Sequence, residues 1–153
     1  MMNCNSQLAQ RFWQEGRLKD CPILDFHGHM GPLAGAYLPA CSPGEMINIM
    51  DRANVIMLCF CSHQALMVPA VGASGDIDAV LQYPERFKAY RGVVSRYLDP
   101  ERDLAEMERY PDVFVGFKFL ADYYRIPISD KRHDPYWEYA DKHRLLVLVH
   151  TWG

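Results

Sequence analysis

Five short apolar segments alternate along the chain with segments in which apolar residues recur at helical spacing. The apolar segments are predicted to be strands, and they cover Ile23–His27, Val55–Cys61, Tyr90–Ser95, Val113–Phe119 and Leu145–His150. Helices are predicted over residues 6–17, 44–53, 76–83, 100–110 and 135–143. Asp99 followed by Pro100 is a typical helix start, because aspartate caps a helix and proline suits its first position.

The alternation predicts an α/β fold with a parallel sheet, since several strands are apolar on both faces and a helix follows each of the first four. A doubly wound sheet and a (β/α) TIM barrel both fit this pattern. Polar residues lie at the carboxyl ends of all five strands, namely His27 and His29, Cys61 and His63, Arg96, Lys118, and His150. In a barrel every strand end opens into one mouth, whereas a doubly wound sheet collects its site at one switch point. No glycine-rich phosphate loop follows any strand, so the pattern favours the barrel.

The length predicts a single domain, residues 1–153, that forms only part of such a barrel. A complete eight-stranded barrel needs about 250 residues. The last predicted strand is very apolar, yet only Thr151, Trp152 and Gly153 follow it, and a central parallel strand needs cover on each side. We therefore expect an incomplete barrel of about five β/α units, its N-terminal portion, arising by truncation or from a shortened gene.

Composition argues against several classes of protein. Half of the residues are apolar and 23% are charged, which is typical of a globular chain rather than a disordered one. The net charge is −3 without a basic stripe, so nucleic acid is not an expected partner. No signal peptide is visible, and the apolar runs are too short to span a bilayer. Five cysteines, an odd number, then favour reduced thiols and a cytoplasmic location.

The first candidate chemistry lies at the end of strand one. In an extended strand Asp25, His27 and His29 share one face, because residues two apart point the same way. Two imidazoles at one point favour a divalent metal, and His150 at the end of strand five is a third candidate ligand. Ordinary hydrogen-bonded histidines are the alternative. Asp25 either accepts a ligand histidine's ring N–H or bonds to backbone or a neighbouring cation.

Two cations lie at the carboxyl ends of strands three and four. Lys118 is a candidate catalytic residue that binds a substrate carboxylate, on a face shared with Phe114 and Gly116. The alternative is a lysine that extends from the strand end to solvent. Arg96 is a candidate clamp for a carboxylate, and the alternative is an exposed ion pair.

His63 and Trp152 are candidate substrate-binding residues near the mouth. Cys59, Cys61 and His63 would alternate onto one face if strand two continued. Their spacing matches no zinc ribbon, so buried free cysteines are favoured over a soft metal site. Trp152 and the loop of residues 123–125 either shape a pocket or serve packing.

Three segments resemble the amidohydrolase superfamily, and most closely its amidohydrolase-2 branch of metal-dependent hydrolases and decarboxylases. They are Asp-Phe-His-Gly-His-Met at 25–30, Gly-Phe-Lys-Phe at 116–119 and Leu-Val-Leu-Val-His-Thr-Trp-Gly at 146–153. The resemblance covers the whole chain, roughly the first half of such a protein. It implies a catalytic metal, usually zinc, on His27, His29 and His150. It also implies a further histidine after strand six and an aspartate general base after strand eight, both beyond Gly153. Some relatives carry a carbamylated lysine, at the position of Lys118, that bridges two metals.

The expected function is therefore that of a metal-dependent hydrolase. Zinc-activated water would attack an amide, ester or lactone carbonyl, or the site would perform a related non-oxidative decarboxylation. Lys118 and Arg96 would orient a small-molecule substrate, with a carboxylate as one candidate. The alternative function is a non-catalytic, metal-binding half-barrel that acts as an oligomerisation module. Because strands one and five would be open edges, we expect a homo-oligomer, and neither nucleic acid nor a membrane as partner.

Overall fold

The computed structural model describes residues 6–33, 35–39 and 41–151. Its strands are β1 Ile23–Gly28, β2 Val55–Phe60, β3 Phe87–Val93, β4 Phe114–Phe119 and β5 Leu146–Val149. Its α-helices are α1 Gln7–Glu15, α2 Pro43–Ala53, α3 His63–Met67, α4 Ser74–Gln82, α5 Pro100–Arg109 and α6 Asp134–His143. Two short 3₁₀ helices cover Ala121–Tyr124 and Lys131–His133.

The five strands form one parallel sheet in the order β1-β2-β3-β4-β5. Each crossover therefore moves the chain one strand further in the same direction. A doubly wound sheet reverses direction at its centre, whereas a barrel does not. The order is consistent with a partial TIM-barrel-like α/β fold, and it brings the carboxyl ends of all five strands to one rim.

Most predicted elements are found within two residues of their expected bounds, but strand three begins three residues earlier than predicted. Phe87 is fully buried in β3, and the next residue, Lys88, donates from Nζ to the backbone oxygen of Asp112 at 2.6 Å. A lysine in this position interrupts the apolar run that marks a strand in sequence. The structure also contains α3, in a segment for which the sequence predicts no helix.

Local signals explain where the helices begin. At α2 the Ser42 hydroxyl accepts from the backbone N–H of Glu45, and the Glu45 carboxylate accepts from the backbone N–H of Ser42. This reciprocal pair satisfies two donors at the helix start. At α5 the carboxylate of Asp99 accepts from the Arg102 backbone N–H, with Pro100 in the first helical turn as predicted.

Buried apolar residues lie in two clusters. The larger one includes Phe117 and Phe119 of β4, which pack edge-on against Tyr136 of α6. The smaller one joins Cys59 of β2, and Cys61 directly after that strand, with Leu66 of α3 and neighbouring residues. The sheet is thus covered by helices along one face, and α3 closes part of the other near the carboxyl rim.

The strand β4 departs from regular alternation. Its pairing with β3 shifts register between Phe114 and Gly116, which adds one residue on β4. Phe114 consequently packs in the same cluster as Phe117, so the prediction that Phe114 shares a face with Lys118 is wrong. Gly116 permits close approach of β5, because a Cβ there would lie 1.8 Å from the carbonyl oxygen of Leu146.

Among the described helices, none combines the length and apolar character needed to cross a membrane.

Candidate functional site

Three imidazoles meet at the carboxyl ends of β1 and β2. The ring centroids of His27 and His29 are 5.3 Å apart, with the rings edge to face. His63, the first residue of α3, stacks on His29 at 4.6 Å between centroids. His29 is thus the middle ring of a group of three.

A hydrogen bond to the backbone holds the ring of His29 in one orientation. Its Nδ1–H donates to the backbone oxygen of Cys61 at 2.8 Å, which leaves the lone pair on Nε2. Burial, together with the charges of His63, Lys118 and His27, lowers the pKa of His29 to about 4. At neutral pH the ring is therefore uncharged, in the protonation state that a metal ligand requires.

Lys118 reaches His27 across the sheet. Its side chain is fully buried at the end of β4, and its Nζ donates to Nε2 of His27 at 3.1 Å. Burial lowers the pKa of Lys118, and burial and the lysine charge lower the pKa of His27. The alternative interpretation of Lys118 as a lysine extending to solvent is therefore wrong.

The strand β1 does not keep the strict alternation expected for its polar residues. Its pairing with β2 shifts register between Asp25 and Gly28, and the strand ends before His29. The carboxylate of Asp25 accepts from the backbone N–H of His27 at 2.9 Å. Of the two roles considered for Asp25, the structure shows the bond to backbone.

His150 follows β5 on the same rim. Its backbone N–H donates to the oxygen of Phe119 at 3.0 Å, which continues the parallel pairing of β4 and β5. Its ring packs edge-on against Tyr123 at 5.3 Å, and its charge contributes to the lowered pKa of His27. In the described part of the chain, however, no three His, Cys, Asp or Glu side chains form a group ready to hold a metal.

A buried carboxylate supports the loop that carries His63. Asp76 of α4 is 1% exposed, and its Oδ2 accepts from the backbone N–H of Ser62 at 3.0 Å. The Ser62 hydroxyl in turn accepts from the Ala65 N–H and so starts α3. Burial raises the pKa of Asp76 to about 6. Sequence reasoning missed this support, although a serine directly before His63 was a usable helix-start signal.

The two cysteines at the end of β2, Cys59 in the strand and Cys61 directly after it, belong to no metal-binding group among the described residues. Cys59 and Cys61 are buried, and burial raises the pKa of both thiols. Because His63 begins a helix instead of continuing the strand, the three residues do not alternate along one face.

The remaining candidates lie apart from the histidines or outside the described residues. Arg96 is exposed in the turn after β3. Burial raises the pKa of the Tyr124 hydroxyl, which donates to the Leu66 oxygen, and the charge of Arg96 acts against that rise. Trp152 lies outside the described residues.

Comparison with known proteins gives a likeness in structure. No family model matches the chain, and no curated protein matches it. Among solved structures it is similar to a probable 2-pyrone-4,6-dicarboxylic acid hydrolase from Acinetobacter baumannii, crystallised with citric acid bound. The TM-score is 0.58 at 16% identity, over 86% of this chain and 50% of the other. The chain thus spans half the length of that enzyme, and the likeness shows a shared fold.

Proposed function

We propose that the chain carries part of the active site of a metal-dependent hydrolase of the amidohydrolase-2 type. The observation that carries this proposal is the pair of uncharged imidazoles, His27 and His29, held beside the buried Lys118 at the carboxyl rim. In barrels that rim is where active sites lie. The likeness to a probable hydrolase of the same fold supports the proposal.

His27, His29 and His150 would hold a divalent metal ion, with zinc as the first candidate. The chemistry of the donors fits, because the pKa values of His27 and His29 are lowered and their neutral forms prevail. The Nε2 lone pair of His27 accepts from the ammonium group of Lys118, so this atom already faces a cation, as a metal ligand would. When bound, such a metal supplies Lewis acidity and lowers the pKa of water to about 7.

The chain's own residues would position the substrate. Lys118 is a cation whose described partner is a neutral ring, so an anionic group gains a charge-assisted hydrogen bond there. The Cys61 oxygen holds His29 in one tautomer. The reaction would be attack on an amide, ester or lactone carbonyl, or a related decarboxylation. The neighbour is named for a dicarboxylic acid and bound citric acid, which supports an acidic substrate.

The test is metal analysis and turnover on matched variants. The purified chain is dialysed against buffer containing zinc, and its bound zinc and its hydrolysis of a simple ester and a simple anilide are measured. We expect about one zinc per chain, and loss of zinc and turnover in His27→Ala and His29→Ala. His143→Ala is the control, since His143 lies on α6 with its ring stacked on Tyr139.

Equal zinc content in His27→Ala, His29→Ala and the wild type would contradict the proposal. Stoichiometric zinc without turnover would instead support the metal-binding, oligomerising half-barrel, which size-exclusion chromatography would then examine.

A further inference from the structure

Helix α3 presents apolar side chains in two directions. Ala65 and Leu66 face inward and are 1% and 0% exposed. On its other side, Met67 and the following Val68 are 38% and 42% exposed. Large apolar side chains left in solvent beside a candidate site indicate a surface that contacts a ligand.

This outer side of α3 forms one wall of a groove with a volume of about 300 Å³. The groove is lined by Pro32, Leu33, His63, Gln64, Met67 and Val68. None of these residues is an acid, a lysine or an arginine. The volume is at the lower end of the range for small-molecule sites, enough for a ring with a short substituent.

The groove adjoins the histidine cluster at one side chain. His63 belongs to both, because it lines the groove and stacks on His29 at 4.6 Å. The opposite wall begins at Pro32, three residues after His29. A molecule that is held at His27 and Lys118 and extends past His29 and His63 would enter a mainly apolar groove with no acid, lysine or arginine among these lining residues.

We propose that this groove receives the neutral, apolar body of the substrate, so that the substrate class is a monoanion whose acidic or carbonyl end lies at Lys118. The inference rests on the proposed function for the position of the reacting end. A second charge at the far end would lose its hydration between Leu33 and Met67 without gaining a cation. The groove thus discriminates against dianions by desolvation.

The experiment measures binding of three carboxylates to the metal-free chain by isothermal titration calorimetry. Benzoate carries one carboxylate and an apolar ring, terephthalate adds a second carboxylate at the far end of the same ring, and acetate lacks the ring. We expect benzoate to bind at least about tenfold more tightly than either of the others. Equal affinities for benzoate and terephthalate, or no saturable binding of benzoate, would overturn the inference.

Two valines provide a matched pair of variants. Val68 and Val71 are each 42% exposed and lie three residues apart, but only Val68 lines the groove. Val68→Lys places a cation at the far end of the groove, so the preference for benzoate over terephthalate should fall by a factor of about two to five. Val71→Lys should leave that preference unchanged. Equal shifts in the two variants would show that the groove does not hold the ring.

Lys118→Met separates this inference from the proposed function. If Lys118 anchors the carboxylate, the variant weakens acetate and benzoate together. If benzoate still binds Lys118→Met and still responds to Val68→Lys, the groove is a ligand site and the proposed role of Lys118 fails. Zinc content and turnover do not enter this readout.

Discussion

Two buried cations on neighbouring strands have opposite surroundings. Arg91 of β3 is 3% exposed and Lys118 of β4 is 0% exposed, and Gly92, the residue after Arg91, pairs directly with Lys118. Arg91 forms ion pairs with Asp103 and Glu106 of α5. The described hydrogen-bond partner of Lys118 is the imidazole of His27.

The difference in partners distinguishes a buried cation that supports the fold, Arg91, from one that belongs to the candidate site, Lys118. A buried charge is costly, and carboxylates that pair with it offset much of that cost. The Arg91 network meets this condition, because Asp103 also accepts from Tyr136 of α6 at 2.8 Å and joins β3 to two helices. Lys118 has a neutral acceptor instead, so its charge is left for an anion that arrives from outside.

Removal of Arg91 from its ion pairs should have the largest effect on stability. Arg91→Ala removes the buried cation that pairs with Glu106 and with the buried carboxylate of Asp103, which then keeps only the half-exposed Arg102 as an ion-pair partner. We expect the free energy of unfolding to fall by about 3–5 kcal/mol. Urea denaturation measures this change.

Arg102→Ala is the control for that variant. Arg102 also pairs with Asp103, but its side chain is 54% exposed, so the expected loss is below about 1 kcal/mol. Equal losses in the two variants would show that burial does not decide the strength of these pairs.

The charge of Asp76 is compensated less well than that of Arg91 but better than that of Lys118. Its carboxylate accepts from one backbone N–H and feels a more distant arginine charge. Its pKa is about 6 in the folded chain, against an ordinary value of 3.8. Between these two pH values the folded chain retains a proton that the unfolded chain has released. The contribution of Asp76 to the free energy of unfolding therefore falls as pH rises through this window, in total by about 3 kcal/mol, and is level above it.

Asp76→Asn should remove this pH-dependent part, since an amide oxygen can still accept from the Ser62 N–H and does not titrate. The measurement is the pH dependence of unfolding for wild type minus that for the variant, from pH 3.5 to 7. Asp78→Asn, an exposed carboxylate on the same helix, is the control. A flat difference curve for Asp76→Asn would contradict the expectation.

Sequence reasoning predicted the fold well because its evidence was periodic. Apolar strands, caps such as Asp99 and the order of elements are local features, and the parallel sheet follows from them. Polar residues at the carboxyl ends of all five strands also pointed correctly to the strand order of a barrel. The start of β3 was missed because Lys88 interrupts the apolar run, and that lysine bonds to a backbone oxygen 24 residues away.

The candidate site was harder to predict, because it depends on departures from regular structure. Register shifts in β1 and β4 change which side chains share a face, and alternation alone cannot reveal them. The stacking of His63 on His29 depends on α3, whose start is set by Ser62 and supported by Asp76 from another helix. Contacts of this kind connect residues distant in sequence.

Replacement of Lys118, the buried cation without a carboxylate partner among its described contacts, should stabilise the chain. Lys118→Met keeps a long, flexible side chain and removes a buried charge, so we expect the free energy of unfolding to rise by about 2 kcal/mol while turnover is lost. His27 is exposed, and water can replace the lysine as its donor. Lys88→Met, at a partly buried lysine of β3 that donates to a backbone oxygen, should give no such gain. A destabilised Lys118→Met chain would mean that Lys118, like Arg91, is structural.

The smallest expected effect concerns the hydroxyl that completes the Arg91 network. Tyr136 is fully buried, and burial and the adjacent Asp103 carboxylate raise its pKa. Tyr136→Phe keeps the ring and its contacts with Phe117 and Phe119 but removes one of the donors to Asp103. Since Arg91 still pairs with that carboxylate, we expect a loss of about 1 kcal/mol, against no measurable change in Tyr139→Phe on the same helix. If the loss instead equalled that of Arg91→Ala, the carboxylate would depend on all of its donors at once, and the network would act as one cooperative unit.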